Sequence, residues 1–208
     1  NVKSKNQELV GRLFSAKIIE LALANYPGFT ASGGSKPGGP ILIYWPALID
    51  SKHIKEKIHF AGKETEVIPT SQLDLDEVYY QKTKVDIPPA PKGKTTLKPL
   101  GLVFGARSGD KGGCANLGLW AKTSKAYSFL SEFLTTSKLK ELLPDLNEFE
   151  IDRYELPNIL SLNFYIHGIL EDGVSSNSRK DGQAKSLGEY IRAKKVEMPI
   201  EIMEDKVE

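Results

Sequence analysis

Cysteine is almost missing from this chain. The lone Cys114 among 208 residues excludes an internal disulfide framework, and only three histidines accompany it, too few for a dense zinc site. His53 and His59 lie in a charged segment without carboxylate or cysteine companions at ligand spacing, so no metal is expected. A chain so poor in thiols suits a reducing compartment, and a cytoplasmic location is the expectation. Charge of one sign is missing too. With 28 basic against 27 acidic side chains the net charge is +1, which leaves no field to hold nucleic acid or an anionic membrane. No stretch approaches the ~18 uninterrupted apolar residues of a membrane span. The opening, NVKSKNQELVGRLFSAKIIELALANYPG, is broken by Lys17 and Glu20 and does not read as a signal peptide. Neither a Walker loop nor a Rossmann fingerprint occurs, so no nucleotide cofactor is expected.

What is present reads as two parts. Leu9, Leu13, Ala16, Ile19 and Leu23 fall at helical spacing, widened by Phe14, Ile18, Leu21 and Ala22, and Pro27 ends the run. So wide an apolar stripe predicts a helix packed against something sizeable. Residues 31–40, rich in glycine and proline, predict a mobile loop. Ile41 to Trp45, stopped by Pro46, reads as a short buried strand. Residues 55–68 read as a hairpin turning at Ala61-Gly62-Lys63, and residues 73–80 carry no decisive pattern. The stretch DIPPAPKGKTT (86–96) is the best linker candidate, with a boundary near residue 90.

Beyond it the spacing predicts strands over Leu100–Ala106 and Ala115–Ala121, helix over 124–143 in one or two pieces, and strands over Phe149–Tyr154 and Ile159–Leu170. A helix over Gln183–Ala193 and a last strand over Lys195–Ile200 follow. The order β-β-α-β-β-α-β indicates an α+β sandwich, one sheet with its helices on a single face.

Three polar segments carry candidate chemistry. Arg107-Ser108-Gly109-Asp110-Lys111-Gly112-Gly113-Cys114 reads as a long connection between the first two of these strands. Its glycines allow close backbone approach, and its amides with Arg107 and Lys111 suit an anion: a carboxylate, a phosphate or the diphosphate of a coenzyme A thioester. The bland alternative is an Asp110 ion pair in a loop that merely closes the sheet. The second segment, Asn177 to Ser186, enters the last helix, where Asp181 or Ser178 would cap and the helix amides would favour an anion. The third, Arg153-Tyr154-Glu155-Leu156-Pro157-Asn158, reads best as a turn with a surface Arg153–Glu155 pair. Cys114 reads best as a small hydrophobe and His167 as an ordinary polar-face residue.

These segments are also where the chain resembles a known family. Arg107 to Gly118, Arg153 to Asn158 with Leu162-Asn163-Phe164, and Arg179 to Ser186 resemble, in order and spacing, the C-terminal domain of the acyclic-terpene-utilisation (AtuA-type) proteins. Tyr26-Pro27-Gly28 and Ile43 to Ile49 are similar to the end of that family's larger N-terminal domain, whose body is missing here. The family usually has glycine at Ala184 and a more polar residue at Gly113. The resemblance implies a ferredoxin-like domain over 99–208, a linker over 89–98, and a smaller α/β segment over 1–88. It also implies a role in the breakdown of acyclic terpenes or branched acyl-CoA thioesters. On this reading Arg107, Gly109, Gly112, Asn116, Arg179 and Lys185 bind a small anionic ligand of the acyl-CoA kind, and Asp110 or Lys111 is the proton carrier if chemistry occurs. The rival is an oligomerisation module without a ligand, using the sheet face of Asn163, Tyr165 and His167 or an unpaired strand edge. A homo-oligomer, or association with the missing N-terminal domain, is expected on either reading.

Overall fold

The computed structural model describes residues 2–24, 26–30, 34, 37–43, 45–67 and 85–204. Two compact units emerge, one of residues 1–44 with 87–208 and the other of 45–86.

In the first unit, a one-turn helix α1 (Gln7–Val10) precedes α2 (Arg12–Leu23). The expectation of a packed apolar stripe fails among the described residues. No residue of α2 is buried, and Leu13, Ile19, Leu21 and Leu23 are each more than half exposed. Amphipathic spacing records which side of a helix seeks a partner, not whether the partner is at hand. The expected strand at 41–45 is also absent. Ile41 to Ile43 and Trp45 have no regular structure, and Leu42, Ile43 and Trp45 face solvent with no ladder beside them. Of the expected loop, Gly34 and 37–40 are described and have no regular structure, and residues 73–80 lie outside the described residues.

The second unit is the hairpin of β1 (Glu56–Phe60) and β2 (Lys63–Val67), with Phe60 opposite Lys63. Ala61 and Gly62 turn it at φ 49° and 75°. Two positive φ values in a two-residue turn match the right-handed twist of the strands.

The remaining elements are β3 (Thr95–Pro99), β4 (Gly105–Lys111), β5 (Cys114–Trp120), α3 (Ser124–Phe133), α4 (Thr136–Leu142), β6 (Ile151–Leu156), β7 (Ser161–Ile166), α5 (Leu187–Ala193), β8 (Lys195–Pro199) and α6 (Glu201–Glu204). β4, β5, β7 and β6 form, in that order, one antiparallel sheet. Alternation puts Ala115, Leu117 and Leu119 of β5 with Leu162, Phe164 and Ile166 of β7 on one face, where all six are fully buried. Leu130, Leu139 and Ile191 of the helices join the same core. Burial of each such side chain contributes roughly 1.5–3 kcal/mol. This is the expected α+β, ferredoxin-like sandwich, with one correction. The last strand does not enter the main sheet. β8 pairs instead with β3, Thr95 opposite Pro199, so residues 95–98 of the Pro-rich stretch are strand. That stretch is anchored earlier too: Ile87 packs on the core and the Pro88 carbonyl accepts from Ser128 Oγ at 2.6 Å.

The helices begin at side chains that satisfy their free amides. Thr123 Oγ1 accepts from the Ala126 amide at 3.2 Å, and Thr135 Oγ1 from the Lys138 amide at 3.1 Å. Arg153 secures the end of α3: its guanidinium donates to the carbonyls of Leu134 at 3.0 Å and Ser131 at 2.7 Å, and to Glu155 at 2.6 Å. The expected surface pair exists, but the arginine that makes it is chiefly a brace between sheet and helix.

Candidate functional site

The long glycine-rich connection expected after Ala106 is strand. β4 continues through Lys111, and only Gly112 and Gly113 link Lys111 to its partner Cys114. Leu100 to Leu102, expected to be strand, form a 3-10 turn. Gly112 takes the corner at φ 61°. Gly113 is needed for a different reason: a Cβ there would lie 2.1 Å from the Glu171 carbonyl oxygen, and its own carbonyl accepts from the Leu170 amide at 2.9 Å. The polar residue usual at this position in the resembling family has no room against that backbone. A nest of loop amides is therefore ruled out. In its place stands a strand whose side chains alternate between two faces.

That alternation sorts the expected residues. Ser108 and Asp110 belong to the core face, Ser108 against the entrance of α5, whereas Arg107, Gly109 and Lys111 belong to the opposite face, which carries no helix among the described residues. Asp110 and Lys111, the two candidate proton carriers, thus diverge. The second expected segment does meet this strand. Ser108 Oγ donates to the Lys185 carbonyl at 3.1 Å and accepts from the Gly188 amide at 2.9 Å, pinning the entrance of α5 to β4. Lys185 then turns its side chain round the edge of the sheet. Its Nζ lies 2.9 Å from where a Gly109 Cβ would be, and 3.8 Å from Asp110 Oδ1.

The helix-free face holds a cavity of about 380 Å³ lined by Arg107, Gly109, Lys111, Asn116, Gly118, Trp120, Leu156, Ile159, Asn163 and Lys185, among others. Its volume falls in the range of small-molecule sites. The glycines supply a bare floor. At Gly105 a Cβ would strike the Trp120 ring at 2.2 Å, so the indole lies across that position. The lining is apolar at Trp120, Leu156 and Ile159 and cationic at Arg107, Lys111 and Lys185. Beside Arg107 and Gly109, Asn116 Nδ2 donates to Asn163 Oδ1 at 3.3 Å. Lys111 Nζ donates to the Asp110 carbonyl at 3.1 Å. The Arg107 side chain is exposed and makes no hydrogen bond or ion pair among the described residues.

Five expected ligand or proton-carrying residues therefore share this cavity: Arg107, Gly109, Lys111, Asn116 and Lys185. Asp110 and Gly112 line a separate cavity of about 400 Å³ with Leu42, Ile43 and residues 172–175. Arg179 is not in the lining of either; its amide donates to Asn177 Oδ1 at 3.1 Å. Asp181 caps the approach to α5, accepting from the amides of Lys185 at 2.8 Å and Ser186 at 2.9 Å, and that helix starts at Leu187 rather than Gln183.

Trp120, Leu156 and Ile159 escaped the sequence reading. The signal for a ligand-facing surface was there in Gly105 and Gly109 on one strand and Gly118 on the next, since glycine within a strand marks close approach. Farther along the same face, His167 Nε2 lies 2.8 Å from Asp152 Oδ2, with the Tyr165 ring edge-on at 4.9 Å. A hydrogen bond to Cys114, and after it burial, hold the Tyr165 phenol above its ordinary pKa. The Cys114 sulfur also accepts from the Gly168 amide at 3.5 Å. Among the described residues no group of three His, Cys, Asp or Glu could hold a metal ion, and no helix is long and apolar enough to cross a membrane.

No curated protein and no solved structure matches the chain. A family model does: residues 99–197, which hold the four-stranded sheet and much of its cavity lining, match the AtuA ferredoxin-like domain.

Proposed function

We propose that the helix-free face of this domain binds a small amphipathic anion, with its negative head at Arg107, Lys111 and Lys185 and its hydrocarbon over Trp120, Leu156 and Ile159. The observation that carries the reading is one glycine-floored cavity lined both by those three cations and by the apolar Trp120, Leu156 and Ile159. Arg107 supports it most directly, because a guanidinium with no partner is free to give a carboxylate two parallel bonds. The Asn116–Asn163 pair offers an amide donor and an acceptor beside Arg107, where a carbonyl or hydroxyl of the ligand would lie. A branched or acyclic terpenoid carboxylate has the required shape. Its coenzyme A thioester would place the acyl group in the cavity and the diphosphate outside, near Lys111. A part in acyclic-terpene or branched acyl-CoA catabolism is the biological setting that the family resemblance suggests.

Calorimetric titration of the full chain with citronellate, geranate and the corresponding alcohols tests the reading. The acids are expected to bind and the alcohols to bind at least tenfold more weakly. Arg107→Ala is expected to weaken the acids tenfold or more, about 1.4 kcal/mol. Acids that give no heat at millimolar concentration, or an Arg107→Ala variant with unchanged affinity, would refute it.

A further inference from the structure

The sheet's free face is set out in rows. Across β4, β5, β7 and β6 the register places Gly105, Trp120, Ser161 and Leu156 in one row, then Arg107, Gly118, Asn163 and Tyr154, then Gly109, Asn116, Tyr165 and Asp152. Lys111 and Cys114 continue the order, and His167, whose amide donates to the Glu150 carbonyl at 3.0 Å, completes a fourth row with Glu150. An antiparallel sheet covered on one side alone normally shows polar residues on the other. This one leaves Trp120, Tyr154, Leu156 and Ile159 between 41 and 65% exposed around its lower rows.

From this pattern we infer that a second copy of the chain covers the face, sheet on sheet, related by a two-fold axis that runs parallel to the strands. Such an axis sets β4 over the partner's β6 and β5 over the partner's β7, row for row. The Trp120 indole, lying across Gly105, then faces the partner's Leu156 and the partner's Ser161. Arg107 faces the partner's Tyr154, and Gly118 the partner's Asn163. Gly109, with Lys185 above it, meets the partner's Asp152, and Lys111 meets the partner's Glu150. Each cation finds an acid or an aromatic face, and the two-fold repeats every pairing. The alternative axis, in the same plane but across the strands, stacks β4 on β4 and brings Arg107, Lys111 and Lys185 against themselves. Like charges select the first arrangement. The usual offset of about 30° between packed sheets preserves the central rows.

Four strands about 4.8 Å apart and some seven residues long present on the order of 450 Å² per copy. Two copies together bury about 900 Å², just under the roughly 1,000 Å² of a stable specific interface, so the dimer is expected to be weak and concentration-dependent. Its Leu156 and Tyr154 side chains would roof the partner's cavity. As a roof the second copy rests on the anion-site reading; as a dimer it rests on this face alone.

Sedimentation velocity of the full chain, from about 5 to about 200 micromolar to bracket an interface of this size, tests the inference. The wild type is expected to pass from monomer to dimer. Tyr154→Lys, which sets a like charge against Arg107, and Leu156→Glu should stay monomeric with unchanged circular dichroism. Leu97→Lys, on the separate β3–β8 sheet, should dimerise as the wild type does. A wild type that is monomeric throughout, interface variants that still dimerise, or a Leu97→Lys variant that dissociates equally would overturn it. Citronellate titrations on the same samples keep the two readings apart: Arg107-dependent binding to a monomer leaves the anion site standing without the dimer.

Discussion

Ala184 is the residue where backbone and side chain disagree most openly. It sits at φ 53° with its methyl buried at 1% exposure, one residue before Lys185. A left-handed alanine costs about 1–2 kcal/mol relative to a right-handed one, and glycine would escape that cost. Glycine would also lose about 0.8 kcal/mol of methyl burial and bring added chain entropy to the unfolded state. Ala184→Gly is therefore expected to leave stability within about 1 kcal/mol of the wild type, which the thermal unfolding midpoint will show. Ala184→Val has no such compensation. A β-branched side chain at positive φ in a packed site is expected to cost about 2 kcal/mol or more. The glycine usual in the family and the alanine here are thus two near-equal answers to one turn, the one that aims Lys185 over the sheet.

Among the elements, the join between α3 and β6 is braced chiefly by one side chain, with a Ser131–Glu155 hydrogen bond beside it. Arg153 spans from the strand to two carbonyls at the end of the helix, and its own side chain is only 19% exposed. Removing a charged donor that satisfies partly buried carbonyls costs about 1.5–3 kcal/mol. Arg153→Ala should lose that much in chemical denaturation. Arg153→Lys should recover little, because an ammonium cannot reach both carbonyls with a planar fork. The sequence reading reached this arginine and saw only its neighbour Glu155, since local spacing cannot reveal a bond to a helix some twenty residues away. The same limit moved the first strand of the domain. Leu100, Leu102 and Phe104 alternate as well as Arg107, Gly109 and Lys111 do, and only the β5 partner decides which set forms the ladder. Helices α3 and α4, set by Thr123, Thr135 and Pro144, were legible because their signals are local. The convergence of Lys185 with Arg107 was legible as a motif pair but not as geometry, because the side chain travels round the sheet edge.

At the scale of the whole molecule, the family match and the folded unit do not share a boundary. The match begins at residue 99, the last residue of β3, and Ile87 and Pro88 before it are already docked on the core. A fragment of residues 100–208 would leave β8 without its ladder. It is expected to unfold at least about 5 °C below a fragment of residues 85–208, the shift that roughly 1 kcal/mol produces in a domain near this size. Scanning calorimetry of the two fragments measures the difference.

The β3–β8 pairing also fixes an order of events during synthesis. Thr95 leaves the ribosome with its ladder partner, Pro199, still 104 positions (199 − 95) from being made. Until then β3 offers bare amides and carbonyls to any strand it meets, and the long loop must close before the contact returns anything. A nascent chain stalled inside α5 would expose that edge, and would be more prone to aggregate than one stalled after Met198 has emerged.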